Sequence, residues 1–416
     1  MPDLATAMPP AWIVAALDAS DVRIFGSSPQ ERLTRSLESA ACSWIRPIGE
    51  RGPEALPTSG PVVLMRGDAV YDERVVRALL ESRDTLLLTP AHGDDPRGRA
   101  VAACVDAARV TDVLPLLVGG AASQHPVGAD WPPEKRAQQP VFPEETAVRG
   151  VAAGLKCVTP EQLVPAYNAK LRKVEPPFLF YPVTCEESAS VEEHAFRASY
   201  KGLTDLVTRW VWPTPALAAV RVLARRRIHP NTVTLASWVL AVLAFTWFWQ
   251  GHYLAGLVGA WGMTFLDTVD GKLARCTLTS SRLGHVLDHG LDLVHPPFWW
   301  LAWGAGLATG AGPAAAIAIA GYFVGRILEG IFLAAFKFET HSWRPIDGLF
   351  RTITARRNPN LILLSVGAIE GRPDLGMVMV AIWTIVSLGF HAVRVAQAFA
   401  ERSRGGDVSP WNEDPG

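Results

Sequence analysis

Residues 265–293 read FLDTVDGKLARCTLTSSRLGHVLDHGLDL, and the four aspartates in this stretch, Asp267, Asp270, Asp288 and Asp292, decide the fold of the second half of the chain. Asp267 and Asp270 stand at i,i+3 and Asp288 and Asp292 at i,i+4, so each pair projects from one face of a helix. Two such helices facing each other bring the carboxylates together. The surrounding sequence is apolar, and an ionised carboxylate at the centre of a bilayer costs at least ~2.5 to 3.5 kcal/mol on the most lenient scale. Four of them need cationic compensation, which a divalent metal site supplies.

Apolar stretches long enough for a hydrocarbon core of about 30 Å recur from Asn231 onward. Six spans are expected, at about 231 to 250, 253 to 275, 284 to 308, 313 to 337, 358 to 371 and 374 to 399. Basic residues collect on alternate connections: Arg225, Arg226 and Arg227 before the first span, Lys272, Arg275 and Arg282 around the second junction, and Lys337, Arg344, Arg351, Arg356 and Arg357 between the fourth and fifth. The positive-inside rule then puts both termini in the cytoplasm. Segment 200 to 228, with Trp210, Trp212 and several arginines, suits a helix lying in the headgroup region. Asn231 reads as the cap of the first span.

The first half alternates β-like runs (WIVAALD, PVVLMRGDAVY, DTLLLTP) with helical stretches, which predicts an α/β layer with a largely parallel sheet. Residues 126 to 147 read as a surface loop, and the proline-punctuated acidic stretch 174 to 195 reads as a linker. The net charge of −1 gives no field pointing to nucleic acid. Five cysteines without CxxC spacing point to neither a disulfide framework nor a zinc site. The N-terminus lacks the basic region of a signal peptide.

The spacing Asp267, Asp270-Gly271, Ala274-Arg275, Gly284, Asp288, Asp292 resembles the signature of the CDP-alcohol phosphotransferase family, over roughly residues 200 to 402. The resemblance implies a bundle of six transmembrane helices that moves a phospho-alcohol or phosphatidyl group from a CDP-linked donor to a hydroxyl acceptor, releasing CMP. It implies two divalent ions, Mg2+ or Mn2+, held by Asp267, Asp270 and Asp288, with Asp292 as general base and further metal contact. CDP would lie against Asp267, Asp270, Gly271, Ala274, Arg275, Gly284, Asn231 and Thr234. An alcohol or lipid acceptor would meet Arg326, Lys337 and Arg357. A homodimer among membrane lipids is expected, with no nucleic acid partner.

Residues 1–195 resemble a nucleotidyltransferase domain, with Asp68 where such enzymes place a metal-binding aspartate, but without their glycine-rich loop. The expected organisation is thus 1–195 cytosolic and nucleotidyltransferase-like, 196–229 linker and interfacial helix, 230–402 transmembrane transferase, and 403–416 a disordered tail. A bifunctional enzyme whose first domain makes the CDP-alcohol, and an ion carrier built on the acidic tetrad, are the competing readings. His285 and His289, at i,i+4, read as pocket lining, and Arg326 with Glu329 as an i,i+3 ion pair or an acceptor pocket.

Overall fold

The computed structural model describes residues 8–14, 21–42, 44–48, 59–89, 99–122, 154–168, 170–308 and 312–411; the side chains of 118–122, Leu283, His285, Asp288, His289 and Leu291 also lie outside the description. The chain forms two compact units, Met1–Ala166 with Glu175–Ala195, and Tyr167–Val174 with Phe196–Gly416.

The first unit is an α/β layer. Its strands β1 (Ala11–Val14), β2 (Ile45–Ile48), β3 (Pro61–Arg66), β5 (Thr85–Leu88), β6 (Ala100–Asp106) and β7 (Lys156–Val158) form one sheet in the order β2-β1-β3-β6-β5-β7. The expected parallel arrangement holds for all of these except β6, which runs antiparallel to both neighbours. Alternation explains the layering. Ile13, Val63, Met65 and Leu87 pack with helices α1 (Pro29–Ser39) and α2 (Glu73–Glu81), whereas Trp12, Val62, Leu64 and Leu86 pack with α3 (Val110–Ala122). The short strand β4 (Val70–Tyr71) pairs with β10 (Leu179–Phe180), and a single-turn helix α4 (Pro160–Leu163) packs on α2.

One sequence expectation changes here. The supposed linker 174 to 195 contains β10 and most of helix α5 (Ser188–Ala198), and Glu192 accepts a hydrogen bond from the Phe25 amide at 2.8 Å. Prolines there shape turns within the unit and do not separate domains. Asp68 is held by Arg66 through two hydrogen bonds, of 2.9 and 2.6 Å, in a largely buried pair. The loop 126 to 147 lies outside the described residues.

The second unit is helical. After the antiparallel hairpin of β8 (Tyr167–Asn168) and β9 (Lys173–Val174), a π-turn at Val207–Val211 leads into α6 (Pro213–Arg225). The helices that follow are α7 (Pro230–Trp249), α8 (Tyr253–Cys276), α9 (Arg282–Ala305), α10 (Gly312–Phe336), α11 (Pro345–Arg351), α12 (Arg357–Ile369) and α13 (Pro373–Ser403). Helices α7, α10 and α13 have the length and composition of membrane spans; α8 and α9 carry the aspartates and are more polar. Leu235, Val239 and Val242 form an exposed apolar row along α7, as lipid contact requires.

Inside the bundle, two indoles bond across helices. The indoles of Trp299 and Trp303 donate to the carbonyls of Ala241 (2.9 Å) and Pro373 (3.0 Å). A Cβ on Gly367 would stand 2.6 Å from the Gly376 Cα, so α12 and α13 approach backbone to backbone, as small residues permit in membrane helices. The cap of α7 is His229, whose Nδ1 accepts from the Asn231 amide at 3.2 Å; Asn231 itself lies within the helix. The described part of the tail is fixed in place, because the Trp411 amide bonds the Ser342 carbonyl at 3.0 Å and Val408 packs beside Phe332 and Trp343.

Candidate active site

The first two aspartates of the motif lie on the last turns of α8. Asp270 is buried, and a buried carboxylate is costly without a donor. Thr234 on α7 supplies one, its hydroxyl standing 2.5 Å from Oδ2. Nearby, the Ser281 hydroxyl caps α9 by accepting from the Gly284 amide at 3.0 Å. A Cβ on Gly284 would come within 2.8 Å of Asn231 Oδ1, so the glycine lets the asparagine side chain lie against this helix start. Asn231, Thr234, Asp270 and Gly284 thus meet where α7, α8 and α9 begin or end.

Asp267, one turn earlier, turns to a different partner. Arg357, the first residue of α12, places Nη2 at 2.5 Å from Asp267 Oδ2 and Nη1 at 2.9 Å from Asp292 Oδ1. A guanidinium fork suits two carboxylates at once. Arg357, expected at the acceptor, therefore joins the two aspartate helices through a shared cation. The Asp292 carboxylate remains about half exposed.

Local chemistry presents that carboxylate. Pro296 and Pro297 remove two amides from α9, which frees the carbonyls of Asp292 and Leu293, four residues earlier in each case. The Tyr322 hydroxyl on α10 reaches both, at 3.2 and 3.0 Å. The proline pair was the only sequence signal for Tyr322 as part of the site.

These groups open on a cleft of about 600 Å³, lined by Asp267, Gly271, Arg275, Asp292, Arg326 and Arg357 among the residues singled out from sequence. Arg275 folds over Gly271, where a Cβ would meet its Nη2 at 3.2 Å. Lys337 is exposed and is not among the lining residues, and neither is Ala274. Sequence reasoning missed Arg172, Tyr200 and Asp205, which also line it. No signal in the sequence marks Arg172. Asp205 accepts from the Asn358 amide group at 2.9 Å and from Thr208, tying the π-turn to the residue beside Arg357.

Cations dominate the cleft. Eight arginines and lysines line it against five carboxylates, a surplus of three positive charges among the described residues. Glu329 is shared by Arg326 at 3.0 Å, by Arg356 and by His341 at 3.4 Å. Arg351 has a buried Nη1 with no hydrogen-bond partner. Burial, and then the charge of Arg356, depress the Arg351 guanidinium to about 9, which leaves it cationic at neutral pH. Burial also depresses His341 to about 3, the contact with Glu329 opposing and the charges of Arg356 and Arg351 reinforcing the shift. His341 is neutral here.

Hard carboxylate oxygens on α8 and α9 are the donor type that magnesium or manganese takes. Among the described residues no three His, Cys, Asp or Glu side chains lie close enough to hold a metal ion. The side chains of Asp288, His285 and His289 are outside that description. Asp267, Asp270 and Asp292 fit such a site in chemistry, with Arg357 supplying a cation between Asp267 and Asp292.

Residues 227–356 match the CDP-alcohol phosphatidyltransferase family. Cholinephosphotransferase 1 of Xenopus laevis is 26% identical over 178 residues, which are 39% of this chain and 39% of that protein. An archaetidylinositol phosphate synthase of Pyrococcus horikoshii is 38% identical over 73 residues, 17% of this chain and 38% of the relative. The chain thus spans about two fifths of the length of these relatives. The CDP-diacylglycerol–glycerol-3-phosphate 3-phosphatidyltransferase of Aquifex aeolicus is 30% identical over 141 residues, 34% of this chain and 76% of that enzyme. A Mycobacterium tuberculosis phosphatidylinositol phosphate synthase with CDP-DAG bound aligns at 21% identity and a TM-score of 0.35, over 43% of this chain and 92% of the other. The family match and the three long apolar helices make this an integral membrane protein. Three quarters of the Aquifex enzyme are matched, and the family's own segment contains every aspartate of the motif; the chain belongs to the CDP-alcohol phosphatidyltransferase family.

Proposed function

We propose that the helical unit transfers a phospho-alcohol or phosphatidyl group from a CDP-linked donor to a hydroxyl acceptor, with release of CMP, at the cleft between α8, α9 and α12. The observation that carries this reading is the convergence of Asp267 and Asp292 on Arg357 at the edge of a cationic cleft. Asp267, Asp270 and Asp288 would hold two divalent ions, which when bound neutralise the donor diphosphate and favour in-line displacement. Thr234 orients Asp270, and Gly271, Ala274, Arg275, Gly284 and Asn231 border the nucleotide. Asp292 takes the acceptor hydroxyl's proton; its half-exposed carboxylate supports that role. A phosphate-bearing polar acceptor fits the surplus of positive charge around Arg326, Arg351 and Arg356.

In this reading α7, α8, α9, α10, α12 and α13 all cross the membrane, both termini are cytoplasmic, and α6 lies at the interface with Trp210 exposed toward the lipid headgroups. Residues 1–195, apart from the hairpin Tyr167–Val174 that belongs to the helical unit, form a cytosolic domain, 196–229 the linker and interfacial helix, and 230–402 the transferase, which functions as a homodimer. The bifunctional reading gains no support from Asp68, whose carboxylate is engaged by Arg66. The ion-carrier reading gives no reason for eight cationic side chains in the cleft. The test is CMP release by the purified full-length protein, given Mg2+ or Mn2+ and a panel of CDP-linked donors and alcohols. Absence of CMP with every pairing overturns the proposal.

A further inference from the structure

Two successive prolines, Pro296 and Pro297, stand inside α9, one of the helices read above as crossing the membrane. Each lacks the amide that would bond the carbonyl four residues earlier, and its ring crowds that same carbonyl. In a bilayer, a helix tolerates such residues where a neighbouring helix satisfies the freed groups. Here one side chain serves both. The Tyr322 hydroxyl on α10 lies 3.2 Å from the Asp292 carbonyl oxygen and 3.0 Å from that of Leu293, and its single proton is shared between them.

The ring completes the bridge. It meets the buried Trp300 edge-on at 5.6 Å, three residues past the second proline. Tyr322 therefore grips α9 before the break through its hydroxyl and beyond the break through its ring. The effect falls on Asp292. Its carbonyl belongs to the rigid peptide plane that leaves its own Cα, so tethering that oxygen fixes the backbone from which the carboxylate projects. At the other end of the side chain, Arg357 Nη1 stands 2.9 Å from Oδ1. The carboxylate is thus set by two anchors, one on its backbone from α10 and one on its oxygen from α12. Asp292, Pro296, Tyr322 and Arg357 also border a smaller cavity of about 120 Å³ at the break.

The geometry points to Tyr322 as a positioning residue of the transfer reaction, which holds the proline-broken turn of α9 so that Asp292 faces the acceptor hydroxyl. This rests on the function proposed above, in which Asp292 takes the acceptor's proton. A displacement of about 1 Å at a reacting group can cost about a hundredfold in rate. A tyrosine that only ties α9 to α10 would behave differently in the following experiment.

Tyr322→Phe keeps the ring beside Trp300 and removes the hydroxyl. The full-length protein in detergent with Mg2+ is assayed for CMP release, for CDP affinity by calorimetry and for melting temperature, as wild type, Tyr322→Phe, Asp292→Asn and the double variant. Tyr322→Phe is expected to lower kcat by about 10- to 100-fold while donor KM and CDP affinity stay within about threefold. In the Asp292→Asn background the same change is expected to lower the single-turnover rate by less than about threefold, because the group it positions is already gone. Pro296→Ala returns an amide to the Asp292 carbonyl, and adding it to Tyr322→Phe is expected to recover part of the lost kcat. A kcat within about threefold of wild type in Tyr322→Phe overturns the inference and leaves the proposed function standing. So does an equal loss with and without Asp292, and so does a fall in kcat matched by weakened CDP binding, which marks a structural tie. Should Tyr322→Phe melt too low to assay, the protein carrying both Pro296→Ala and Tyr322→Phe decides, and its failure to regain turnover overturns the inference. A wild type that releases no CMP overturns the proposed function itself, and this inference with it.

Discussion

The Thr234 hydroxyl on α7 stands 2.5 Å from Oδ2 of Asp270 on α8, so a motif carboxylate is oriented by a residue 36 positions upstream. A hydrogen bond to a charged group is worth about 1.5 to 3 kcal/mol. Thr234→Val keeps the shape and removes the donor. It is expected to lower the thermal midpoint and to raise the divalent-ion concentration needed for half-maximal activity, whereas Thr234→Ser should behave nearly as wild type. A valine variant that melts and titrates like the parent would remove Thr234 from the site.

The aspartates themselves should divide into two classes. Asp267→Asn, Asp270→Asn and Asp288→Asn are each expected to abolish turnover and divalent-ion dependence, since each withdraws an anionic ligand. Asp292→Asn should retain donor affinity while the chemical step slows by about 10² to 10⁴-fold. Single-turnover rates together with CDP binding separate the two. Equal loss of donor affinity in Asp292→Asn would move that residue among the metal ligands.

Arg357 offers a test of charge balance. Removing one partner of a buried pair costs about 3 to 5 kcal/mol, because the other charge is left uncompensated. Arg357→Gln leaves Asp267 and Asp292 without their shared cation. Its melting temperature should therefore fall further in EDTA than in Mg2+, with the wild type showing the smaller difference. An equal fall under both conditions would mean that no divalent ion stands in for the guanidinium.

Much of this site could be read before the fold was known, and the reasons differ from residue to residue. Helical periodicity and apolar length reveal α7 to α10, α12 and α13 to within a few residues, because those signals are local. The aspartate pairs carry their own geometry in their spacing. Strand direction has no local signature, so the reversal of β6 was invisible. The α7 cap was assigned to Asn231 because asparagine is the commoner cap, while His229 uses an imidazole nitrogen for the same purpose. Trp411 and Val408 order a tail whose composition reads as disorder, through contacts with distant residues. Arg172 and Asp205 reach the cleft through tertiary placement alone. Expectations for 126 to 147, His285 and His289 fall outside the described residues.

Protonation supplies a further prediction, at a group outside the spanning helices. His341 is buried and depressed from 6.5 to about 3. Between these values the unfolded chain binds a proton that the folded one refuses, so stability rises with pH across this window and is lost as pH falls from about 6.5 toward 3. The slope attributable to one such group is at most about 1.4 kcal/mol per pH unit. His341→Gln should flatten the profile in thermal melts between pH 6.5 and 4. A variant whose profile parallels the wild type would show that His341 is already free to take its proton in the folded state.

Orientation is tested at the chain's end. A reporter fused after Gly416 is expected to be accessible only from the cytoplasmic face, given the basic residues between α10 and α12 and after α13. Labelling from the outer face alone would reverse the assignment of every connection.

The route of the backbone through the hairpin has a consequence for modularity. The chain quits the α/β unit after Ala166, runs through Tyr167–Val174 and returns at Glu175 to add β10 and most of α5. Severing it between 166 and 167 strips the α/β unit of its final strand; severing it after 195 carries the hairpin away from the cleft it borders. No single break yields both halves whole, so end-to-end gene fusion, domain exchange and limited proteolysis will all leave one partner incomplete.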